Sequence, residues 1–489
     1  MKRYSKSISI ENKKYLEKTF NEIEILKSSK DIVLYKEGDD DKIIDGKLFY
    51  DKKKGFSIEI YDVHVLDEED LKEIYFKNEQ QKYKLSQAYI SNRSVNLDIK
   101  NNKGLMRCVI RFAHFSNVTI KNQKKHFIRT ILETKFSFPQ LCFICETIKY
   151  DIENTTYAFK CLRVNVGNNS YDIYHYKDKK NNKSYIILEN LTPVSQDDYF
   201  EARSVIFTMY DFITGLNLGG KSYCIYSDNK NFEDDLLLEF MILRDEWQHY
   251  YTPICTNPYT CMIKEEDLNE EEKSNIKRLT LVELNRFCEL MNNDSDFRYT
   301  ISLINEACNA SLNIMPSSLA VALESLTNYL QVESEELIYP IKNNFKDEFI
   351  NSILEYAEKN LNQFVDKNKI INRLRNINQP INRKHLKNED KLRLPFIDLG
   401  IPLNNEDLET LKIRNDLMHG NFSLQNKEKS LSTNELNKRT HYFSSRLLFL
   451  NWALILRTIG YDGNILNYAK KFESYFGKPI EENFYRAIK

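Results

Sequence analysis

Three side chains able to handle a phosphodiester lie close together near the C-terminus: Arg414, Asn415 and His419. Read as a helix, this stretch places them within an arc of about 140° that also holds Leu411 and Met418. Asn415 and His419 are four residues apart and stack on one line of the helix. Polar groups among apolar side chains are costly unless something uses them, so this face is the candidate site.

The three side chains fit the cleavage of RNA, which carries its own nucleophile, the 2′-hydroxyl. An enzyme has to remove that proton, stabilise the charge on the phosphate and protonate the departing 5′-oxygen. His419 titrates near neutral pH and suits either proton step. The fork of Arg414 matches two phosphate oxygens, and Asn415 would orient His419 or the phosphate. No metal ligand cluster is needed for this chemistry or visible in the sequence.

Spacing alone does not identify the site, because Arg244 and His249 repeat it in a strand-like context. An arginine and a histidine on a bundle helix also commonly form a core pair or a solvated edge. What distinguishes the C-terminal pair is its surroundings: an Asn directly after the Arg, Gly420 directly after the His, and long apolar helices on both sides.

Residues 414–420, Arg-Asn-Asp-Leu-Met-His-Gly, resemble the signature of the HEPN superfamily. These are helical domains whose many ribonuclease members cut RNA without a metal and act as dimers. The resemblance extends to residues 315–326, which look like the first long helix of the family with its Glu, and to residues 447–463. A HEPN domain behind a large β-rich region is similar in arrangement to the ApeA-like phage-defence proteins.

The resemblance implies a metal-independent endoribonuclease with catalytic Arg414 and His419, assisted by Asn415 and Glu324. Glu324 would hold Arg414 or polarise His419, although it also reads as an ordinary helix-surface carboxylate. A homodimer would bring two His and two Arg to one cleft. The expected substrate is RNA, in particular tRNA anticodon loops, and no cofactor or metal is expected. The expected setting is antiviral abortive infection, in which the protein is a toxin and its N-terminal region senses a phage-derived trigger.

The strand and helix patterns of the sequence predict an α+β chain, in which these elements position the candidate residues. We expect an antiparallel β-rich sandwich or partial barrel over 1–262 as a sensor or regulatory domain, connecting helices over 263–312, and an all-α HEPN-like bundle over 313–489. Strand-like runs fall at residues 32–35, 47–50, 56–60, 106–115, 140–149, 157–166, 171–176, 184–191, 221–226 and 236–243. Helical periodicity covers residues 10–27, 197–215, 279–291, 299–310, 316–330, 345–365, 369–378, 406–420 and 436–460.

The longest apolar run, residues 447–456, predicts either the core of the bundle or a dimer interface. Ten residues are too short to span a bilayer, which takes about 20. The basic start of the chain is not followed by an apolar stretch, so no secretory signal is expected. The predicted location is the cytoplasm, without membrane contact.

A net charge of -1 excludes a generally basic surface, so RNA binding would need a local patch. Two segments combine cations with aromatic rings, residues 121–129 and 174–183. They suit phosphate contact and base stacking, but ordinary loops of a Lys- and Asn-rich chain look the same.

Two rival functions remain open. In the first, the helical region is a non-catalytic scaffold for a sensor or binding protein. In the second, a cysteine or metal enzyme is built on the N-terminal cysteines, among which Cys142 and Cys145 form a CxxC. Without a second CxxC, a buried strand is the simpler interpretation of that pair.

Overall fold

A computed structural model shows how these elements fold. It describes residues 9–10, 16–36, 44–62, 71, 74–78, 81–98, 103–121, 123–152, 155–178, 182–330, 343–360, 366, 368–370, 372, 388–418 and 432–489. The chain is α+β, with a β-rich N-terminal part and C-terminal helices.

The strands of the described residues are β1 (Ser9–Ile10), β2 (Lys30–Lys36), β3 (Ile44–Asp51), β4 (Gly55–Asp62), β5 (Ile74–Lys77), β6 (Lys82–Asp98), β7 (Lys103–Asn117), β8 (Phe127–Thr134), β9 (Ile148–Ile152), β10 (Thr155–Val166), β11 (Asn169–Asp178), β12 (Lys183–Asn190), β13 (Leu216–Asn217), β14 (Lys221–Ser227), β15 (Leu237–Ile242), β16 (Trp247–Gln248), β17 (Asn464–Leu466) and β18 (Tyr485–Ala487). Fourteen of these described strands share one sheet, in the order β1-β9-β10-β11-β12-β8-β14-β15-β7-β4-β3-β2-β5-β6. Their pairing is antiparallel except between β1 and β9, which run parallel.

One end of this sheet closes on itself. β6 pairs with β7 along its length, from Tyr83 opposite Asn117 to Asp98 opposite Lys103. The described part of the chain therefore contains a closed barrel of six strands, ordered β7-β4-β3-β2-β5-β6. Phe115 fills it, with its ring 5.4 Å from Phe56 and 5.5 Å from Phe76. The predicted partial barrel is thus closed, which removes its edge strands.

The other end of the sheet is open and carries a helix on each face. α1 (Leu16–Lys27) packs on one face, where the Phe20 ring lies 4.7 Å from the Tyr185 ring. α2 (Gln196–Thr214) covers the opposite face; the hydroxyl of its Tyr199 donates to the carbonyl of Leu188, at 2.9 Å. Neighbouring residues such as Ile173 and Tyr174 enter different hydrophobic clusters, as alternation along a strand requires.

The remaining helices of the described residues are α3 (Glu270–Asn275), α4 (Leu281–Asn293), α5 (Ser295–Ala307), α6 (Met315–Leu330), α7 (Asn343–Lys359), α8 (Asn388–Asp398), α9 (Asn405–Met418), α10 (Thr433–Thr458), α11 (Tyr468–Lys471) and α12 (Glu473–Phe476). α4 and α5 pack against α2, and α6 contacts α5, α9 and α10. One hydrophobic cluster therefore continues from the open sheet through α2, α4 and α5 into α6 and α10. The boundaries predicted at 262 and 312 cross this shared core and stay predictions.

The predicted all-α character of residues 313–489 is wrong in one detail, since β17 and β18 pair near the C-terminus. The arrangement of a HEPN bundle stays a prediction. The apolar run 447–456 is fully buried, with Leu447, Leu450 and Leu454 at 0% exposure. It forms core within a single chain and offers no free face to a second copy.

The strand prediction at 140–149 is also largely wrong. Leu141–Phe143 form a short 3-10 helix, and β9 begins only at Ile148. Eight of the described strands were not predicted: β1, β5, β6, β8, β13, β16, β17 and β18. The helix predicted over 197–215 is confirmed as α2, whose N-cap is Ser195.

Candidate functional site

The structure brings together two of the predicted site residues, Arg414 on α9 and Glu324 on α6. Arg414 Nη1 lies 2.7 Å from Glu324 Oε2. The side chain of Arg414 is only 5% exposed, whereas that of Glu324 is 39% exposed. The guanidinium is thus held inside the helical layer by a carboxylate that reaches water, which limits the cost of burying the pair.

The other two predicted residues cannot be placed in the same way. Asn415 belongs to the last turns of α9, but its side chain is outside the described atoms. His419 lies outside the described residues, one position after Met418, where α9 ends. The convergence of Arg414, Asn415 and His419 therefore stays a prediction.

The buried face of α9 differs in part from the predicted one. Leu411 and Arg414 lie on it as expected, and Leu417 and Ile413 join them. The carbonyl of Leu417 accepts a hydrogen bond of 2.7 Å from the Ser317 hydroxyl at the start of α6. That contact satisfies one of the carbonyls that the last turn of a helix leaves unpaired, and it fixes the C-terminal end of α9 against α6.

A capping arrangement fixes the N-terminal end of α9. The Asn404 side chain accepts from the backbone N–H of Asp407 at 2.9 Å. In return, the Asp407 carboxylate accepts from the backbone N–H of Asn404 at 3.1 Å. This is the reciprocal pairing of a capping box, with Asn and Asp in place of Ser or Thr and Glu.

Asp407 also enters a buried charge cluster that the sequence analysis missed. Arg486 Nη2 lies 2.5 Å from Asp407 Oδ2, and Arg446 Nη1 lies 2.8 Å from Glu482 Oε2. Cross-contacts of 3.5 Å between Arg446 and Asp407 and of 3.4 Å between Arg486 and Glu482 close the cluster. Two cations and two carboxylates thus tie α9 to α10 and to the C-terminal residues.

The pKa values of Arg446 and Glu482 in this cluster reflect their ion pair. Burial alone would lower the pKa of Arg446, but its hydrogen bonds and attraction to Glu482 raise that pKa above its ordinary value. Burial likewise opposes ionisation of Glu482, yet the bonds from Arg446 lower the pKa of its carboxyl. Through Asp407 the cluster holds α9, the helix that carries Arg414, against Arg446 of α10 and against Arg486. The available signal was Arg446 directly before the apolar run 447–456, where it reads as a charged flank in sequence but is 1% exposed.

The second Arg and His pair with the same spacing has a different environment. Arg244 Nη2 lies 2.6 Å from Asp211 Oδ2, and its Nη1 lies 2.7 Å from Glu306 Oε1. Burial raises the pKa of Asp211 well above its ordinary value, against the opposing effect of Arg244. His249 is buried, and this burial lowers its pKa to about 4, so it is neutral at pH 7.

The two segments that combine cations with rings are buried in part, although Lys124 and Lys125 are exposed. His126 and Arg129 are 2% exposed, and Arg129 Nε donates to Glu189 at 3.1 Å. Tyr174 and His175 are fully buried between β-strand neighbours. Their rings cannot stack on bases without unfolding the sheet, so these parts of the two predicted segments are structural.

The CxxC cysteine Cys145 lies in an environment that disfavours a reactive thiolate. Cys145 is fully buried, and burial raises the pKa of its thiol. Among the described residues, no three His, Cys, Asp or Glu side chains are grouped as metal ligands would be. Nor does any helix within the described ranges have the length and apolar character needed to cross a bilayer.

No family model, curated protein or solved structure matches this chain. The resemblance to HEPN domains therefore depends on the sequence motif alone and stays a prediction.

Proposed function

We propose that this protein is a metal-independent endoribonuclease whose reaction centre lies at the C-terminal end of α9. The observation that supports the proposal best is the 2.7 Å pair between Arg414 and Glu324. It holds a guanidinium beside a water-facing carboxylate, five residues before His419, on a helix that is fixed at both ends.

The proposed chemistry assigns one task to each side chain. Arg414 binds non-bridging phosphate oxygens and stabilises the charge that develops on the five-coordinate phosphate. His419 takes the proton of the 2′-hydroxyl or returns one to the 5′-oxygen. Asn415 orients His419 or the phosphate. Glu324 is a positioning residue, because it contacts Arg414 and acts on the substrate only through it.

The resemblance to HEPN and ApeA-like proteins supports three further parts of the proposal. Two copies would face each other at α9 and supply the second histidine needed for separate acid and base steps. The substrate would be a flexible single-stranded RNA such as a tRNA anticodon loop. The barrel and open sheet would sense a phage-derived trigger, and cleavage would then end the infection by stopping the growth of the host.

The direct test is incubation of the purified chain with tRNA in EDTA, followed by analysis of the RNA ends. We expect 2′,3′-cyclic phosphate ends, and we expect His419→Ala to lower the cleavage rate by at least about 10²-fold. His441→Ala is the matched control, because His441 packs against Phe472 outside the α6–α9 contact. Cleavage that persists at an unchanged rate in His419→Ala would remove this histidine from the mechanism.

The second candidate is a non-catalytic sensor built on a HEPN-like scaffold. The deep burial of Arg414 favours it, since a guanidinium at 5% exposure in an ion pair is also what a structural core pair looks like. On this alternative the purified chain leaves RNA intact, and expression of His419→Ala in cells has the same effect as expression of the wild type.

A further inference from the structure

A cleft of about 330 Å³ opens beside the first two turns of α9, between that helix, the N-terminal half of α10 and α12. Its volume is at the lower end of the range for small-molecule sites, which is large enough for one nucleotide. Glu409 on α9 lines it, five residues before Arg414 on the same helix.

The floor of the cleft is aromatic. The ring centroid of Tyr442 lies 5.5 Å from that of Phe476, with the planes nearly perpendicular, and 5.4 Å from that of Phe443. Phe443 is 7% exposed, whereas Tyr442 and Phe476 are partly exposed. Arg446 Cζ and Lys478 Nζ already lie over the Tyr442 ring, at 5.2 and 5.7 Å from its centroid, so a planar base would pack against the partly exposed edges of this floor.

Some charged groups around this floor are already committed. Glu406 accepts a hydrogen bond of 2.7 Å from the Tyr442 hydroxyl and lies 3.6 Å from Lys478. Glu435 accepts from the backbone N–H and the hydroxyl of Ser432, at 2.9 and 2.7 Å, as the cap of α10. These groups shape the rim and have no strong need of a ligand.

Three charged groups of the lining are not held by a hydrogen bond or a salt bridge within the described ranges. Within the described ranges, Lys438, Arg439 and Glu409 make no hydrogen bond and no ion pair with another residue. Arg439 lies over the Phe443 ring, at 5.8 Å from its centroid. Two cations suited to a phosphate and one carboxylate suited to hydrogen-bond donors thus surround an aromatic floor.

We propose that this cleft binds one guanosine monophosphate unit. The base lies against Tyr442 and Phe476, and the phosphate is bound by Lys438 and Arg439. Glu409 accepts two hydrogen bonds from the adjacent N1–H and N2–H groups of guanine, which suit the two oxygens of a carboxylate. Adenine presents a ring acceptor at the corresponding position and would be disfavoured.

The unit comes either from a free nucleotide or from a guanosine within RNA. The second source depends on the proposed ribonuclease function, because it would make the cleft a subsite that selects RNA with a guanosine near the scissile bond.

The first experiment is calorimetric titration of the full chain with GMP, AMP, ribose 5-phosphate and inorganic phosphate. We expect GMP to bind most tightly, and ribose 5-phosphate at least about tenfold more weakly because it lacks the stacking base. Glu409→Gln should bring the affinities for GMP and AMP within about threefold of each other, since an amide no longer accepts two hydrogen bonds. Arg439→Gln should weaken GMP binding about tenfold.

The matched control is Lys264→Gln, which removes a 73% exposed cation away from the cleft and should leave every affinity unchanged. Thermal unfolding of each variant excludes loss of fold as the cause. Equal affinity for all four ligands, or no dependence on Glu409 and Arg439, would overturn the proposal for a free nucleotide.

The second arm uses the His419→Ala chain, which is not expected to cleave, with single-stranded oligonucleotides that contain or lack guanosine. A preference for guanosine that Glu409→Gln abolishes assigns the site to RNA, even when free GMP does not bind. If neither arm shows dependence on the cleft while the wild type still cleaves tRNA, the cleft proposal fails and the nuclease proposal stands. If GMP binds but no RNA is cleaved, the nuclease proposal fails and the cleft proposal stands for a free nucleotide.

Discussion

Arg244 with His249 and Arg414 with His419 have the same sequence spacing, yet they lie in different structural settings. The first pair connects β15 to β16 in irregular and extended chain, and its arginine is 40% exposed. In the second, Arg414 sits in the regular helix α9 and is 5% exposed. Five residues span about 7.5 Å in a helix and about 16 Å in a strand. The same spacing therefore corresponds to a shorter distance along a helix than along a strand, and the proximity of His419 to Arg414 stays a prediction.

The two arginines also differ in the burial of their carboxylate partners. Arg244 neutralises Asp211, a fully buried carboxylate within α2, so it serves the packing of the open sheet. Arg414 is itself the buried member, and its partner Glu324 reaches solvent. Under the proposed function Arg414 would exchange this carboxylate for a phosphate, whereas removal of Arg244 would leave a buried acid without its cation.

The largest expected effect is on the rate of RNA cleavage, which should depend on Arg414 and not on Arg244. Arg414→Lys should lower the rate of RNA cleavage about 10³-fold, because an ammonium cannot reproduce the two-pronged contact of a guanidinium. Arg244→Lys should change that rate by less than about threefold. The measurement is single-turnover cleavage of tRNA in EDTA. Equal losses in the two variants would show that the helix gives Arg414 no special role.

The next effect is the pH dependence of stability that results from the buried His249. An unfolded histidine has a pKa of about 6.5, whereas burial lowers that of His249 to about 4. Between pH 4 and pH 6.5 the unfolded chain therefore binds more protons at His249 than the folded chain does. The contribution of His249 to the free energy of unfolding is complete above pH 6.5 and is lost as the pH falls toward 4. The loss amounts to about 3 kcal/mol.

This loss is measured as the difference in free energy of unfolding between the wild type and His249→Asn at pH 7 and pH 4.5. The Asn oxygen can still accept the hydrogen bond that the backbone N–H of Tyr251 donates to His249 Nδ1 at 3.2 Å. We expect the difference between the two proteins to shrink at the lower pH. A difference that is the same at both pH values would contradict the buried neutral state of His249.

The smallest effect compares the carboxylates. Glu324→Ala should lower the free energy of unfolding by about 2 kcal/mol, because it removes a carboxylate partner of a buried guanidinium. Glu306→Ala should cost less than about 0.5 kcal/mol, since Glu306 is 48% exposed and its partner Arg244 keeps Asp211. Denaturant unfolding of the two variants tests this, and equal costs would remove the distinction between the sites.

Local pattern predicted much of the fold. The hairpin of β3 and β4 pairs Asp51 with Gly55 as the turn-like sequence between them indicates. Pro316 lies in the first turn of α6, where the missing N–H of proline is tolerated. The failures have physical causes as well. β8 reads as a basic loop because Lys124 and Lys125 precede it, although Ile128 and Ile131 are core residues.

By itself, the sequence determined the division into strands and helices and the position of Arg414 on a helical face, since periodicity is a property of neighbouring residues. Only the tertiary structure decided that the sheet closes into a barrel and that Glu324, 90 residues away, is the partner of Arg414. It also decided that Asp407 joins Arg446, Arg486 and Glu482 in one buried cluster. These contacts depend on how separate elements pack, which no local pattern specifies.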